Sequence, residues 1–218
     1  MEITLYYFKI AFWRAEMTRL ALHIGGIPFN NYIIEGKDRD NFKNSGILPN
    51  KKIAPFRQLP VLDVDGKIFA QTGAIARFCG KLSGLYPKDD DLAAARIDQV
   101  IEVAQDINYL FTLSSRDKEK EKLKLARKIL ATKHLPKYFN FLENLIKEND
   151  NSLFFVGENI SIADLAIWRL LGWFESGIID GVPTNILEPY ENLKKMRNEI
   201  YKHPKVNDWM IQTYGKVI

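Results

Sequence analysis

The residues best placed to do chemistry lie between Pro55 and Thr72, in the run PFRQLPVLDVDGKIFAQT. Gln58-Leu59-Pro60 opens a strand with a proline, Asp65-Gly66 closes a tight hairpin, and Gln71-Thr72 starts a helix. A helix N-terminus presents unpaired N–H groups and the positive end of the dipole, so it holds anions. The Thr72 hydroxyl adds a donor, although simple N-capping is the plainer use of a threonine there. A strand edge beside it can pair with an extended peptide. The segment therefore suits a short peptide and its carboxylate.

Other reactive residue types point away from several chemistries. The single cysteine, Cys79, excludes an internal disulfide and any CxxC redox pair, and its place in RFCG suits a core position. His23, His134 and His203 are scattered and suggest no metal site. Ser161-Ile162-Ala163-Asp164 has capping-box spacing, with Ile160 and Leu165 at hydrophobic-staple positions, so Asp164 is read as a folding device. The formal charge of +4 is mild for 218 residues. The basic run from Arg116 to Lys124 alternates with acids, as on a solvated helix face, and nucleic-acid binding is not expected. No apolar run reaches the ~20 residues of a membrane span. The N-terminus MEITLYYF lacks a signal-peptide pattern, and a reducing, cytoplasmic setting is expected.

The elements that must position these residues follow from periodicity. Residues 3–8 alternate as a strand; Met17, Leu20, Ala21 and Ile24 keep helical spacing up to Gly25-Gly26; residues 29–34 read as a second strand. Strand, helix and strand within about 30 residues form a βαβ unit with parallel strands. Residues 35–54 are irregular, with room for one short helix. Residues 61–64 and 67–70 flank Asp65-Gly66, whose type I′ turn needs positive φ at both central positions. A helix follows from Thr72 to about Gly80. The expected first half is thus βαβ-α-ββα over residues 1–81. The Gly-, Pro- and Asp-rich stretch 82–90 is a linker, and residues 91–218 form an all-helical domain. Helical patterns there fill about 92–114, 117–148, 161–177 and 189–202.

Four blocks together, LYYF, RAEMTRLAL, QLPVLDVDG with AQTGAIARF, and SIADLAIW, resemble the cytosolic glutathione S-transferases in order and spacing over nearly the whole chain. The first two are similar to the sigma class and related tyrosine-type branches of protists and algae. The resemblance implies an α/β thioredoxin-like N-terminal domain followed by an all-α C-terminal domain, a homodimer, and a cis peptide bond before Pro60. It also implies a transferase of the detoxifying kind, in which the thiolate of reduced glutathione attacks a small hydrophobic electrophile. Glutathione is then a cosubstrate, with no tightly bound cofactor and no metal.

By the same resemblance, Tyr7 donates to the sulfur. Thr72 with Gln71 takes the α-carboxylate of the γ-glutamyl end, Leu59 pairs through its backbone, Pro60 sets that geometry, and Gln58 offers an amide. Asp106 reaches the γ-glutamyl ammonium of the opposite subunit. Arg14 polarises Tyr7 or the sulfur. The sequence departs from the pattern between Phe8 and Arg14, where KIAFW has one residue more than related classes and places Phe12 and Trp13 beside the thiol. This loop could make an apolar wall for the electrophile or obstruct it. Tyr109, Leu110 and Leu113 are candidates to line the same pocket, and Phe42, Lys43 and Lys52 to touch the glycine end. Trp168 and Trp173 are expected in the core. Two alternatives stay open: a glutathione-binding protein with little turnover, and a prostaglandin-type isomerase.

Overall fold

The computed structural model describes residues 1–149 and 152–215. Strand β1 (Ile3–Tyr7) is buried along its whole length, because it is an inner strand of a sheet covered on both faces. Helix α1 (Trp13–Ile24) carries the chain over to β2 (Asn30–Ile33), which pairs parallel with β1. After α2 (Gly36–Ser45), strands β3 (Val61–Val64) and β4 (Lys67–Ala70) form an antiparallel hairpin, and α3 (Thr72–Ser83) follows. The sheet order is β2-β1-β3-β4. At the hairpin tip Asp65 has φ 49° and Gly66 φ 81°, the two positive values a type I′ turn demands. Asp65 also ties the tip to the start of β1 by accepting from the Glu2 N–H at 2.7 Å.

Among the described residues, the regular structure of the second half is helical. It contains α4 (Asp91–Ser114), α5 (Lys120–Ile129), α6 (Leu135–Glu148), α7 (Ile162–Glu175), α8 (Glu191–Lys202) and α9 (Pro204–Tyr214). Between α5 and α6 the backbone makes a π-helical turn over Leu130–His134. Pro136 lies just beyond, with no N–H to give and a ring that would collide with the carbonyl four residues earlier in a regular helix. The wider turn accommodates it. The single helical pattern over 117–148 is therefore interrupted. Helix α9 had no counterpart in the periodicity. Pro204 reads as a stop after α8, yet proline is well suited to the first turn of a new helix, and His203 serves both as the end of α8 and the start of α9.

Two apolar cores form. Ile3, Leu5, Leu22, Val61, Leu62, Ile75 and Cys79 fill the one around the sheet. Met17, Leu20, Ile101, Phe139, Leu165, Trp168 and Met210 belong to the larger helical one. Helix α1 contributes to both, which is why even its Glu16 and Arg19 are inaccessible to solvent. The capping box forms as spaced. Asp164 accepts from the Ser161 N–H at 2.8 Å, the Ser161 hydroxyl at 2.6 Å and the Phe155 N–H at 2.9 Å. Cys79 is buried, which pushes its thiol up to about 12 and leaves it inert.

Candidate active site

The N-terminus of α3 opens without a side-chain cap. Gln71, at its N-cap, makes no side-chain cap, so the first N–H groups of the helix keep their donors for another partner. Its backbone sits at φ 77° and ψ 121°, an unfavourable region for a side chain larger than glycine. Thr72 follows, almost fully buried. Beside it the Leu59–Pro60 peptide bond is cis, as expected from the resemblance.

These residues meet in one small polar cleft. Arg14, Gln58, Leu59, Pro60, Gln71 and Thr72 all line it, together with Phe56, Ala70 and Gln105. Residues more than fifty positions apart converge here because β3 starts, antiparallel, beside the end of β1, and α1 follows from that same end of the sheet. The buried Nε of Arg14 has no hydrogen-bond partner, a donor left available in a polar cleft. Such a group favours an anion.

Tyr7 ends β1 and does not itself line the cleft. Arg14 links the two, since its charge acts on the Tyr7 hydroxyl while its side chain lines the cleft. Burial pushes the Tyr7 phenol up to about 12, against the opposing pull of Arg14 and Arg19. At neutral pH it is therefore a phenol, able to donate a hydrogen bond and unable to act as a base. Tyr6 is buried in a different environment, with its ring 5.3 Å from that of Tyr32.

Asp106 is not in the cleft. It is exposed on α4, where its charge is felt by Tyr138 of α6, and its neighbour Gln105 lines the cleft instead. Phe56 and Gln105 carried no chemical signal of their own, but each lies one or two positions from a residue singled out in the sequence. Of the other candidates, Phe42 is in the sheet core and Lys52 bridges Asp63 and the Gly66 carbonyl across the hairpin. Tyr109 and Leu113 are exposed, and Leu110 is half-buried.

The loop after Tyr7 turns Phe12 toward the helices. The Phe12 ring lies 4.8 Å from Trp173, which in turn lies 4.4 Å from Phe111 of α4. The Arg127 guanidinium caps that row, 4.0 Å above the Phe111 ring. Phe12, Phe111 and Trp173 thus form an edge-to-face aromatic cluster between the loop, α4 and α7.

The chain is 31% identical, over 176 residues, to a glutathione S-transferase of Plasmodium falciparum (isolate 3D7), and the alignment covers 78% of each chain. The chain belongs to the glutathione S-transferase family. Within it, residues 105–212 match the model described as "Glutathione S-transferase, C-terminal domain". Among solved structures, the family likeness extends to the prostaglandin synthase D of Nilaparvata lugens, with TM-score 0.80 and 26% identity, covering 96% of this chain and 97% of that one. It extends also to the glutathione S-transferase of Ascaris lumbricoides, with TM-score 0.77, 27% identity and 98% of both chains covered. The mixed four-stranded domain followed by a helical domain is thus the family's fold. Among the described residues no group of His, Cys, Asp and Glu could hold a metal ion, and no helix is long and apolar enough to cross a membrane.

Proposed function

We propose that this protein is a tyrosine-type, sigma-like glutathione transferase that conjugates the thiolate of reduced glutathione to small hydrophobic electrophiles. The observation that carries this is the cleft, in which a cis-Pro60 strand edge, the uncapped start of α3 and an unpartnered Arg14 Nε converge beside a protonated Tyr7. In this reading residues 1–81 hold glutathione and residues 91–218 supply the electrophile wall. The peptide pairs with the Leu59 backbone, and its γ-glutamyl carboxylate rests on Gln71 and Thr72. Gln58 offers an amide to the same end. Asp106, exposed outside its own cleft, would meet the γ-glutamyl ammonium bound in the other subunit of a homodimer.

The chemical step needs a thiolate. A free thiol with pKa near ~8.5 is only a few per cent ionised at pH 7. Lowering that pKa by about 2 supplies roughly 2.7 kcal/mol and makes thiolate the main form. The neutral Tyr7 phenol stabilises the anion by donating to sulfur, and the Arg14 charge adds to it. The thiolate then attacks the electrophile, forming the carbon–sulfur bond as the leaving group departs or the acceptor takes up a proton.

Conjugation of a chromogenic aryl halide by wild type and Tyr7→Phe tests the reading. The wild type should accelerate conjugation, and Tyr7→Phe should lower kcat/KM by about 10- to 100-fold and raise the pKa of bound thiol. Binding of glutathione with no rate above solution would instead support a carrier with little turnover. The likeness to the prostaglandin synthase D of Nilaparvata lugens supports a second reading, isomerisation of a prostaglandin endoperoxide through the same thiolate. Turnover of such an endoperoxide well above aryl-halide conjugation would favour it.

A further inference from the structure

The loop between Tyr7 and α1 has no regular structure, yet its carbonyls are held. Arg19, a residue of α1, places Nη2 3.1 Å from the Phe8 carbonyl and Nη1 3.0 Å from the Ile10 carbonyl. Arg169, two turns into α7, directs both Nε (3.1 Å) and Nη2 (2.8 Å) at the Ala11 carbonyl. Both guanidinium groups are buried, Arg19 completely. Their charge is offset by a buried acid, Glu16, which lies 2.9 Å from Arg19 Nη1 and acts electrostatically on Arg169. Glu16 is fixed in turn by α9, accepting from Trp209 Nε1 and from the Tyr214 hydroxyl, each at 2.6 Å. The Tyr214 oxygen also lies 3.0 Å from Arg19 Nη1, and Arg19 Nε donates to Asn31 of β2 at 2.9 Å. The same Arg19 guanidinium sits 5.6 Å from the centre of the Tyr7 ring.

We propose that Arg19 and Arg169, with Tyr214 setting Arg19, are positioning residues that hold the Phe8–Phe12 loop and thereby aim the Tyr7 hydroxyl and the Phe12 wall. This rests on the transferase reading above. Burying a guanidinium for stability alone is a poor use of it, because apolar packing commonly does as well. Here the donors go to the Phe8, Ile10 and Ala11 carbonyls of the loop that separates the thiolate donor from the electrophile wall. Such clamping matters because misplacement of a catalytic group by about 1 Å can cost a hundredfold in rate. The charged and titratable groups facing Tyr7 are Arg14, Glu16 and Arg19, and the Arg169 side of the network also faces Arg197, which is paired with Glu175.

Arg169→Met, Arg169→Lys and Tyr214→Phe, studied as full chains below their unfolding temperatures, provide the test. Amide exchange of Ile10 and Ala11 should rise in Arg169→Met and Tyr214→Phe, while exchange in α3 stays at the wild-type level. With glutathione and an aryl halide, kcat/KM for the electrophile should fall about tenfold and the bound-thiol pKa should rise, while KM for glutathione stays within about threefold. Arg169→Lys, which keeps one donor, should recover part of both. Unchanged loop exchange in folded variants overturns the inference whatever the kinetics. Raised exchange with an unmoved pH profile and kcat/KM also overturns it. A wild type without conjugation or thiolate absorbance would sink the transferase reading instead, and the exchange result would still judge the clamp.

Discussion

Thr72 is the first residue of α3, where in the proposed reading its hydroxyl receives a carboxylate. Its near-complete burial at the uncapped start of α3 means that a carboxylate seated there would be desolvated, and a hydrogen bond to it correspondingly strong. Thr72→Ala should therefore weaken glutathione binding by roughly tenfold, the value of one charge-assisted bond, while Thr72→Ser stays near wild type. Isothermal titration calorimetry distinguishes the two, and equal loss in both variants would assign the role to the threonine methyl group. Tyr7 illustrates the other face of burial. The burial that raises its phenol also leaves its hydroxyl where competing water is sparse.

At the scale of elements, helix α7 is organised by its first residues. Asp164 is completely buried, and burial raises its carboxyl to about 6 from 3.8, in spite of hydrogen bonds from Ser161 and Phe155 that pull the other way. A carboxyl raised in the folded state contributes stability that is full below pH ~3.8 and is lost as pH rises through about 6. That contribution is on the order of 3 kcal/mol. Urea midpoints measured from pH 4 to 7 should show this loss in wild type and a flatter dependence in Asp164→Asn. The Asn variant should also be less stable at pH 7 by about 1–3 kcal/mol, because an amide cannot accept all three bonds. Activity per folded molecule should not change.

The whole molecule depends on how closely its sheet-bearing and helical parts approach. Gly80 of α3 marks the contact: a Cβ there would lie 2.9 Å from Tyr86 Cβ and 3.0 Å from Ile162 Cγ2, at the start of α7. Arg77 of α3 reaches Asp98 of α4 at 2.9 Å beside it, and the Ile162 N–H donates to Leu85 at 3.1 Å. Gly80→Ala should cost about 1–3 kcal/mol in urea unfolding by forcing these elements apart. It should also lower conjugation, since the cleft takes Thr72 and its N-cap Gln71 from the start of α3 and Gln105 from α4. A stability loss below about 0.5 kcal/mol would show that the contact can yield.

Much of this was written locally. The Asp65-Gly66 turn, the four strands, the cap at Ser161 and the helix start at Gln71-Thr72 follow from residue types a few positions apart, because turn conformations, caps and periodic burial are short-range physics. The family motifs place six cleft residues by the same local patterns. Other features depended on tertiary structure. Glu16 and Arg19 look like the polar face of an amphipathic helix, and they are buried only because α1 lies between two cores. Helix α9 is hidden by Pro204 and becomes legible once Trp209 and Tyr214 find Glu16, nearly two hundred residues away. The KIAFW loop gave no sign of its conformation, since its carbonyls are satisfied by guanidinium groups from α1 and α7. Sequence determines which groups can bond; only the folded chain decides which distant groups are within reach.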